Sequence, residues 1–211
     1  MQLHHFTVNP FYENTYLAIE DQTAVLFDPG FYDEAEFGEF EDKLNQAGVQ
    51  LSAIVLTHAH VDHIIGLKKV KQNYDVPVYL HKDDIFFWEN YVMQAGMFGL
   101  EVEPFDFSPT HIEPQNNWSE TGISFDVLFT PGHAPGHVSF YRQQEGILIA
   151  GDTLFQGSIG RTDLYQGDMQ TLINSIRNKL YTLPDDTVVY PGHGPATKIG
   201  VEKKTNGFVR E

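Results

Sequence analysis

The sequence predicts an α/β fold made of two mixed β-sheets packed face to face, with helices on the outside. Three observations carry that expectation. Each half of the chain runs from strands through a helix to a further strand. Several of the strands end in loops that pair glycine with histidine or aspartate. The 211 residues, 41% of them hydrophobic, can bury a substantial core, and the 18 glycines and 11 prolines are spread along the chain as turn-formers.

The elements follow in order. Leu3–Val8, Thr15–Ile19 and Ala24–Phe27 read as strands, the last stopped by the turn signal Asp28-Pro29-Gly30. A helix over Glu34–Gln46 puts Phe37, Phe40 and Leu44 on one face and stops at Gly48. Ala53–Leu56 is a short apolar run of the kind found in buried strands. The apolar spacing from His63 to Asn73 predicts a helix, Val76–His81 a strand, and Asp83–Met97 an aromatic-rich helix. Gly99–Asn117, with three prolines, reads as an irregular connection. Ser124–Thr130, Val138–Tyr141 and Ile147–Ala150 are strands, Met169–Leu180 a helix and Thr187–Tyr190 a last strand. No domain boundary is legible, so a single domain over residues 1–211 is expected.

Charge and composition narrow the function. Twenty-nine acidic against 13 basic residues give a net charge of −16. Two divalent cations would still leave about −12, so a nucleic acid would be repelled over most of the surface. The absence of cysteine excludes disulfides, thiolate-bound zinc, iron–sulfur clusters and thiol nucleophiles. No signal peptide and no apolar run of about 18 residues is visible, and a soluble, cytoplasmic protein is expected.

The chemistry gathers at His58-Ala59-His60-Val61-Asp62-His63. His58 and His60 are two apart on an extended segment leaving a strand, so their side chains point the same way. Asp62 and His63 stand at a helix start and aim elsewhere. Three more loops each follow a strand and each offers one ligand: Thr130-Pro131-Gly132-His133, Ala150-Gly151-Asp152-Thr153 and Tyr190-Pro191-Gly192-His193. Glycine beside the ligand lets the backbone turn sharply, and proline fixes two of the approaches. Five imidazoles and two carboxylates suit zinc, iron(II) or manganese better than calcium or magnesium. Seven ligands exceed the needs of one tetrahedral zinc; a bridged pair uses them all. His81 and His111 read as structural or surface residues, and His137 as a packing or hydrogen-bonding residue of its loop. Phe86, Phe87, Trp88, Tyr91, Met97 and Phe98 read as core or as a cap over the site.

From Leu3 to His193 the chain resembles the metallo-β-lactamase superfamily, through H-x-H-x-D-H followed in order by G-H, G-D and G-H. The resemblance implies an αββα sandwich and two divalent ions, zinc foremost. His58, His60 and His133 would hold the first; Asp62, His63 and His193 the second; and Asp152 would bridge them. It also implies catalytic roles for Asp62 and Asp152, a hydroxide between the ions as nucleophile, and Asp28 as the carboxylate that orients a ligand imidazole.

Pro131-Gly132-His133-Ala134-Pro135-Gly136-His137 and Gly151-Asp152-Thr153-Leu154-Phe155 are similar to the glyoxalase II branch, which hydrolyses S-acyl thiols such as lactoylglutathione. Arg161 matches a basic residue that contacts the glutathione part there. Two departures weaken glutathione specificity. About eighteen residues follow His193, leaving no room for that branch's C-terminal helical domain, and Asp163 replaces an aromatic residue. The expected function is therefore a metal-dependent thioesterase acting on a small acyl-thiol or ester, with no nucleic-acid or membrane partner. The alternative is a persulfide dioxygenase-like enzyme with one iron on His58, His133 and Asp152. A β-lactamase, a nuclease and a vestigial binding module are weaker expectations.

Overall fold

The computed structural model describes residues 1–210 and divides into two compact units. The first comprises Met1–Ile112 with Glu120–Ile123; the second comprises Glu113–Ser119 and the chain from Ser124 onward.

The first unit carries a six-stranded mixed sheet in sequential order: β1 (Gln2–Val8), β2 (Glu13–Glu20), β3 (Thr23–Phe27), β4 (Gln50–Val55), β5 (Val78–His81) and β6 (Thr110–Ile112). The first three strands pair antiparallel and the rest parallel. Helix α1 (Glu34–Ala47) makes the β3–β4 crossover. Asp33 caps its N-terminus by accepting from the Ala35 and Glu36 amides, and Gly48 ends it at φ 65°. Phe37, Phe40 and Leu44 are buried, the face the apolar spacing indicated.

Two predicted helices are each broken. The stretch after the histidine cluster divides into α2 (Val61–Ile64) and α3 (Leu67–Asn73), because the Gly66 amide bonds to the Pro29 carbonyl. The aromatic stretch becomes a 3₁₀ turn (Lys82–Asp84), α4 (Ile85–Glu89) and α5 (Tyr91–Met97). At that second break the Asn90 side-chain Nδ2 donates to the Phe86 carbonyl at 2.7 Å, beside the backbone amide's own bond to it, and caps α4.

The second unit carries the other mixed sheet, in the order β14-β13-β10-β9-β8-β7. Its strands are β7 (Gln115–Trp118), β8 (Phe125–Phe129), β9 (Val138–Arg142), β10 (Ile147–Gly151), β13 (Val188–Pro191) and β14 (Thr197–Lys198). Only β10 and β13 pair parallel. The hairpin β11 (Leu154–Phe155) and β12 (Ser158–Ile159) follows β10. Helix α6 (Met169–Ser175) runs on into π-helical turns at Ile176–Leu180, and α7 (Ile199–Thr205) closes the unit. Leu148, Ala150, Leu172, Ile176, Leu180 and Val189 belong to its core.

The expectation of an irregular Gly99–Asn117 is corrected at its end, where β6 and the start of β7 lie. Both are short and mostly polar, so hydrophobic alternation gives no sign of them. Two mixed sheets with flanking helices are present, as the sequence indicated.

Candidate metal centre

In the first unit the strand β4 delivers Thr57–His63 as a buried loop gripped by two carboxylates. Asp28, just past β3, accepts the Thr57 amide at 2.7 Å on one oxygen and the Thr57 hydroxyl at 2.6 Å on the other. It sits at φ 48°, a left-handed conformation that aspartate tolerates better than most residues. From the far side Asp84 accepts the Ala59 amide at 2.9 Å, and Gln94 donates to the Ala59 carbonyl at 3.1 Å. Asn9 donates to the Asp62 carbonyl at 2.9 Å.

These contacts fix the proton positions on the imidazoles. The Thr57 hydroxyl is spent on Asp28, so it can only accept from His58, whose Nδ1 lies 2.9 Å away. His58 therefore carries its proton on Nδ1. His63 Nδ1 lies 3.1 Å from Asp28 Oδ2, and its Nε2 lies 3.9 Å from Asp62 Oδ2. The His58 ring sits 4.7 Å from that of His60 and 4.2 Å from that of His63, centre to centre. Ligand atoms of Asp28, His58 and His63 lie within 4.8 Å of one another. Phe87 covers His60 with ring centres 4.5 Å apart.

Glu13 stands behind His63, with one carboxylate oxygen 3.6 Å from Nδ1 and the other accepting from the Thr15 hydroxyl. Burial pushes the Glu13 carboxyl well above the usual carboxylate range, against the pull of the His63 imidazole.

The second unit repeats the construction with neutral partners. His133 Nδ1 donates to the Arg161 carbonyl at 2.7 Å, an acceptor that admits only the Nδ1–H tautomer. Its Nε2 lies 3.5 Å from Asp152 Oδ2, and His193 Nε2 lies 3.6 Å from the same oxygen. Two ligands about 2.0–2.2 Å from one tetrahedral ion stand roughly 3.3–3.5 Å apart. These separations exceed a hydrogen bond and match a shared cation. A Cβ at Gly160 would run into the Asp152 carbonyl and come within 3.2 Å of His133 Nδ1, so only glycine fits beside that imidazole.

Other predicted residues fall as follows. His137 is buried in its loop and hydrogen-bonded. His81 is buried and accepts the Asp83 amide; His111 is exposed. Of the aromatic set, Phe87, Trp88 and Tyr91 are buried, whereas Met97 and Phe98 are exposed. The Arg161 guanidinium is exposed and closed by a bidentate pair with Asp163, both contacts at 2.7 Å. That pairing lowers the Asp163 carboxyl to about 2.

Sequence reasoning missed Glu13, Asp84, Gln94 and Gly160. The first three contact the ligand loop only through tertiary folding, and no local pattern marks them.

Residues 8–193 match the metallo-beta-lactamase superfamily. The chain belongs to that superfamily. The superfamily relatives include a "probable metallo-hydrolase YqgX" of Bacillus subtilis, 40% identical over 99% of this chain and 98% of its own. Another is the "hydroxyacylglutathione hydrolase GloC" of Haemophilus influenzae, 36% identical over 99% and 98%. Among solved structures, "TTHA1623 in a di-iron-bound form" is 38% identical with a TM-score of 0.87 over 97% and 99%. "BLEG-1 B3 metallo-beta-lactamase" is 37% identical with a TM-score of 0.86 over the whole of both chains. The two mixed sheets with their helices are thus the metallo-β-lactamase fold, and the chain is a metal-dependent hydrolase of that superfamily. No helix of the described residues is long and apolar enough to cross a membrane.

Proposed function

We propose that the chain is a binuclear thioesterase of the hydroxyacylglutathione hydrolase type, working as one domain on small S-acyl thiols. The observation that carries this reading is the shared tautomer of His58 and His133. A built acceptor holds the Nδ1 proton of each, so each presents an Nε2 lone pair as a metal ligand must. His58, His60 and His133 would hold one ion, Asp62, His63 and His193 the other, and Asp152 both.

Two bound divalent ions, zinc foremost, would supply a water that ionises near neutral pH and a Lewis-acid grip on the scissile carbonyl. The residues supply the rest. Asp28 fixes the Thr57–His63 loop and the His63 ring, so neither needs to reorganise during turnover. Phe87 gives the His60 side an apolar wall. Asp62 and Asp152 would supply negative charge to the cations as ligands. Arg161 would meet the anionic part of the thiol by exchanging Asp163 for a substrate carboxylate, keeping a two-point guanidinium contact.

The relative named as a hydroxyacylglutathione hydrolase supports this substrate class, and the di-iron neighbour supports two ions. The structural neighbour named as a β-lactamase makes β-lactams the second class to assay. The test is a screen of purified, metal-quantified protein against S-lactoylglutathione, other acyl-thiols and β-lactams. About two metal ions per chain with acyl-thiol turnover is the expected result. One iron per chain with thiol-dependent O₂ uptake would replace this reading with the dioxygenase.

A further inference from the structure

We infer that His137 is the positioning residue that fixes the backbone at Asp152, and that it does so in one neutral tautomer. The inference rests on the reading of Asp152 as a metal ligand.

His137 is fully buried, and its Nε2 accepts the Asp152 amide at 3.0 Å. A ring nitrogen that accepts carries no proton, so the proton is on Nδ1. Nδ1 lies 2.9 Å from the Thr130 hydroxyl oxygen, which must accept it. The Thr130 hydroxyl hydrogen then points to Ser139 Oγ, 3.0 Å away, and Ser139 donates to the Ala150 carbonyl at 3.2 Å. One backbone amide thus sets the direction of every hydrogen along the chain of side chains.

The two ends of that chain flank a single residue. It begins at the amide of Asp152 and ends at the carbonyl of Ala150, spanning Gly151 at φ 52°. Here the β10–β13 pairing slips register, and the Gly192 amide reaches across to the Gly151 carbonyl. Thr153 adds a second bond to the Ala150 carbonyl at 2.8 Å. Where the ladder is irregular, side chains take up the backbone groups. The turn that carries Asp152 is held from both sides.

His137 therefore differs in role from His58 and His133, though all three carry the proton on Nδ1. The Nε2 of His137 is engaged by a backbone amide, so the ring holds a ligand in place and is not one.

The test is zinc affinity, measured by competition with a chromophoric chelator on the purified full chain, with melting of the metal-free protein alongside. His137→Leu is expected to weaken zinc binding by about 10–100-fold. His137→Gln, whose Oε1 can accept the Asp152 amide, should stay near wild type even where both variants lower the melting temperature. Equal losses in the two variants would overturn the inference. Wild-type affinity in His137→Leu alongside a loss in Asp152→Ala would overturn the positioning role alone. Wild-type affinity in Asp152→Ala would overturn the ligand reading beneath it. Should His137→Leu fail to fold, the shape-preserving Thr130→Val decides: a loss of about ten-fold supports the inference, and wild-type affinity overturns it.

Discussion

The two units hold their candidate ligands by opposite electrostatic means. In the first, ionisable carboxyls do the holding: Asp28 grips Thr57 and His63, Asp84 grips Ala59, and Glu13 backs His63. In the second, neutral groups do it: the Arg161 carbonyl for His133, and the imidazole and hydroxyls of His137, Thr130 and Ser139 for Asp152. A carboxylate behind an imidazole raises its basicity and its strength as a ligand, whereas a carbonyl mainly orients it. Buried carboxylates without a cation nearby also repel one another. With the proposed metal roles, the first unit would gain most from metal, and the second would be in place before metal arrives.

The largest effects test whether both units are needed at all. His58→Ala and Asp152→Ala remove one proposed ligand from each unit, and each is expected to abolish turnover and lower metal content, read by elemental analysis and acyl-thiol hydrolysis. Wild-type activity in either would dissolve the comparison, because one unit would then suffice.

Next comes the carboxylate clamp. Asp28→Asn keeps the shape but loses the charge, and zinc affinity should fall by about 10–100-fold. Asp28→Ala should also leave the buried Thr57 amide without its acceptor, costing about 1–3 kcal/mol of stability in thermal or urea melts. If the charge is immaterial, Asn will match wild type and the contrast between the units is only one of shape.

Smaller still is Glu13→Gln, which bears first on the cost of burying that carboxyl and then on its repulsion by Asp28. The folded pKa of Glu13 lies above its unfolded value, so its favourable contribution is complete below the unfolded pKa and is lost as pH rises through the folded one. In metal-free protein the variant should therefore melt higher than wild type at neutral pH, with the difference vanishing below about pH 4.5. A variant that melts lower at neutral pH would mean the carboxylate is satisfied in place.

What could be read beforehand divides along similar lines. The His58–His63 run and the three glycine-bearing loops are local patterns, because each ligand sits beside the turn that aims it. Asp28 was legible through its strand end. Asp84 and Gln94 were not: they lie 25 and 35 residues from Ala59, and only the packing of the Lys82–Asp84 turn and α5 brings them to the loop. The helix breaks at Gly66 and Asn90 were hidden for the same reason at Gly66, whose bond to Pro29 is tertiary. At Asn90 the cap is local, but the aromatic spacing across it mimics a continuous helix. In the second unit Ser139 and Gly160 carry no motif, and their roles appear only once β9 pairs with β8 and β10 and the β11–β12 hairpin returns Gly160 to Asp152.

The smallest expected effect concerns Arg161, the candidate substrate contact, whose guanidinium is held by a charge pair with Asp163. Both partners are exposed, so opening the pair costs little in water. Asp163 ionises at about 2 in the folded chain, so the pair is complete above its ordinary carboxylate range and is lost only as pH falls toward that value. Across the neutral range the pair adds no pH dependence of its own. Asp163→Asn should then lower KM for thiols bearing a carboxylate by at most about five-fold, leave KM for uncharged acyl-thiols unchanged, and spare kcat for both. Equal shifts for charged and uncharged substrates would remove Arg161 from the substrate's path and leave its backbone carbonyl, the acceptor for His133, as its whole contribution.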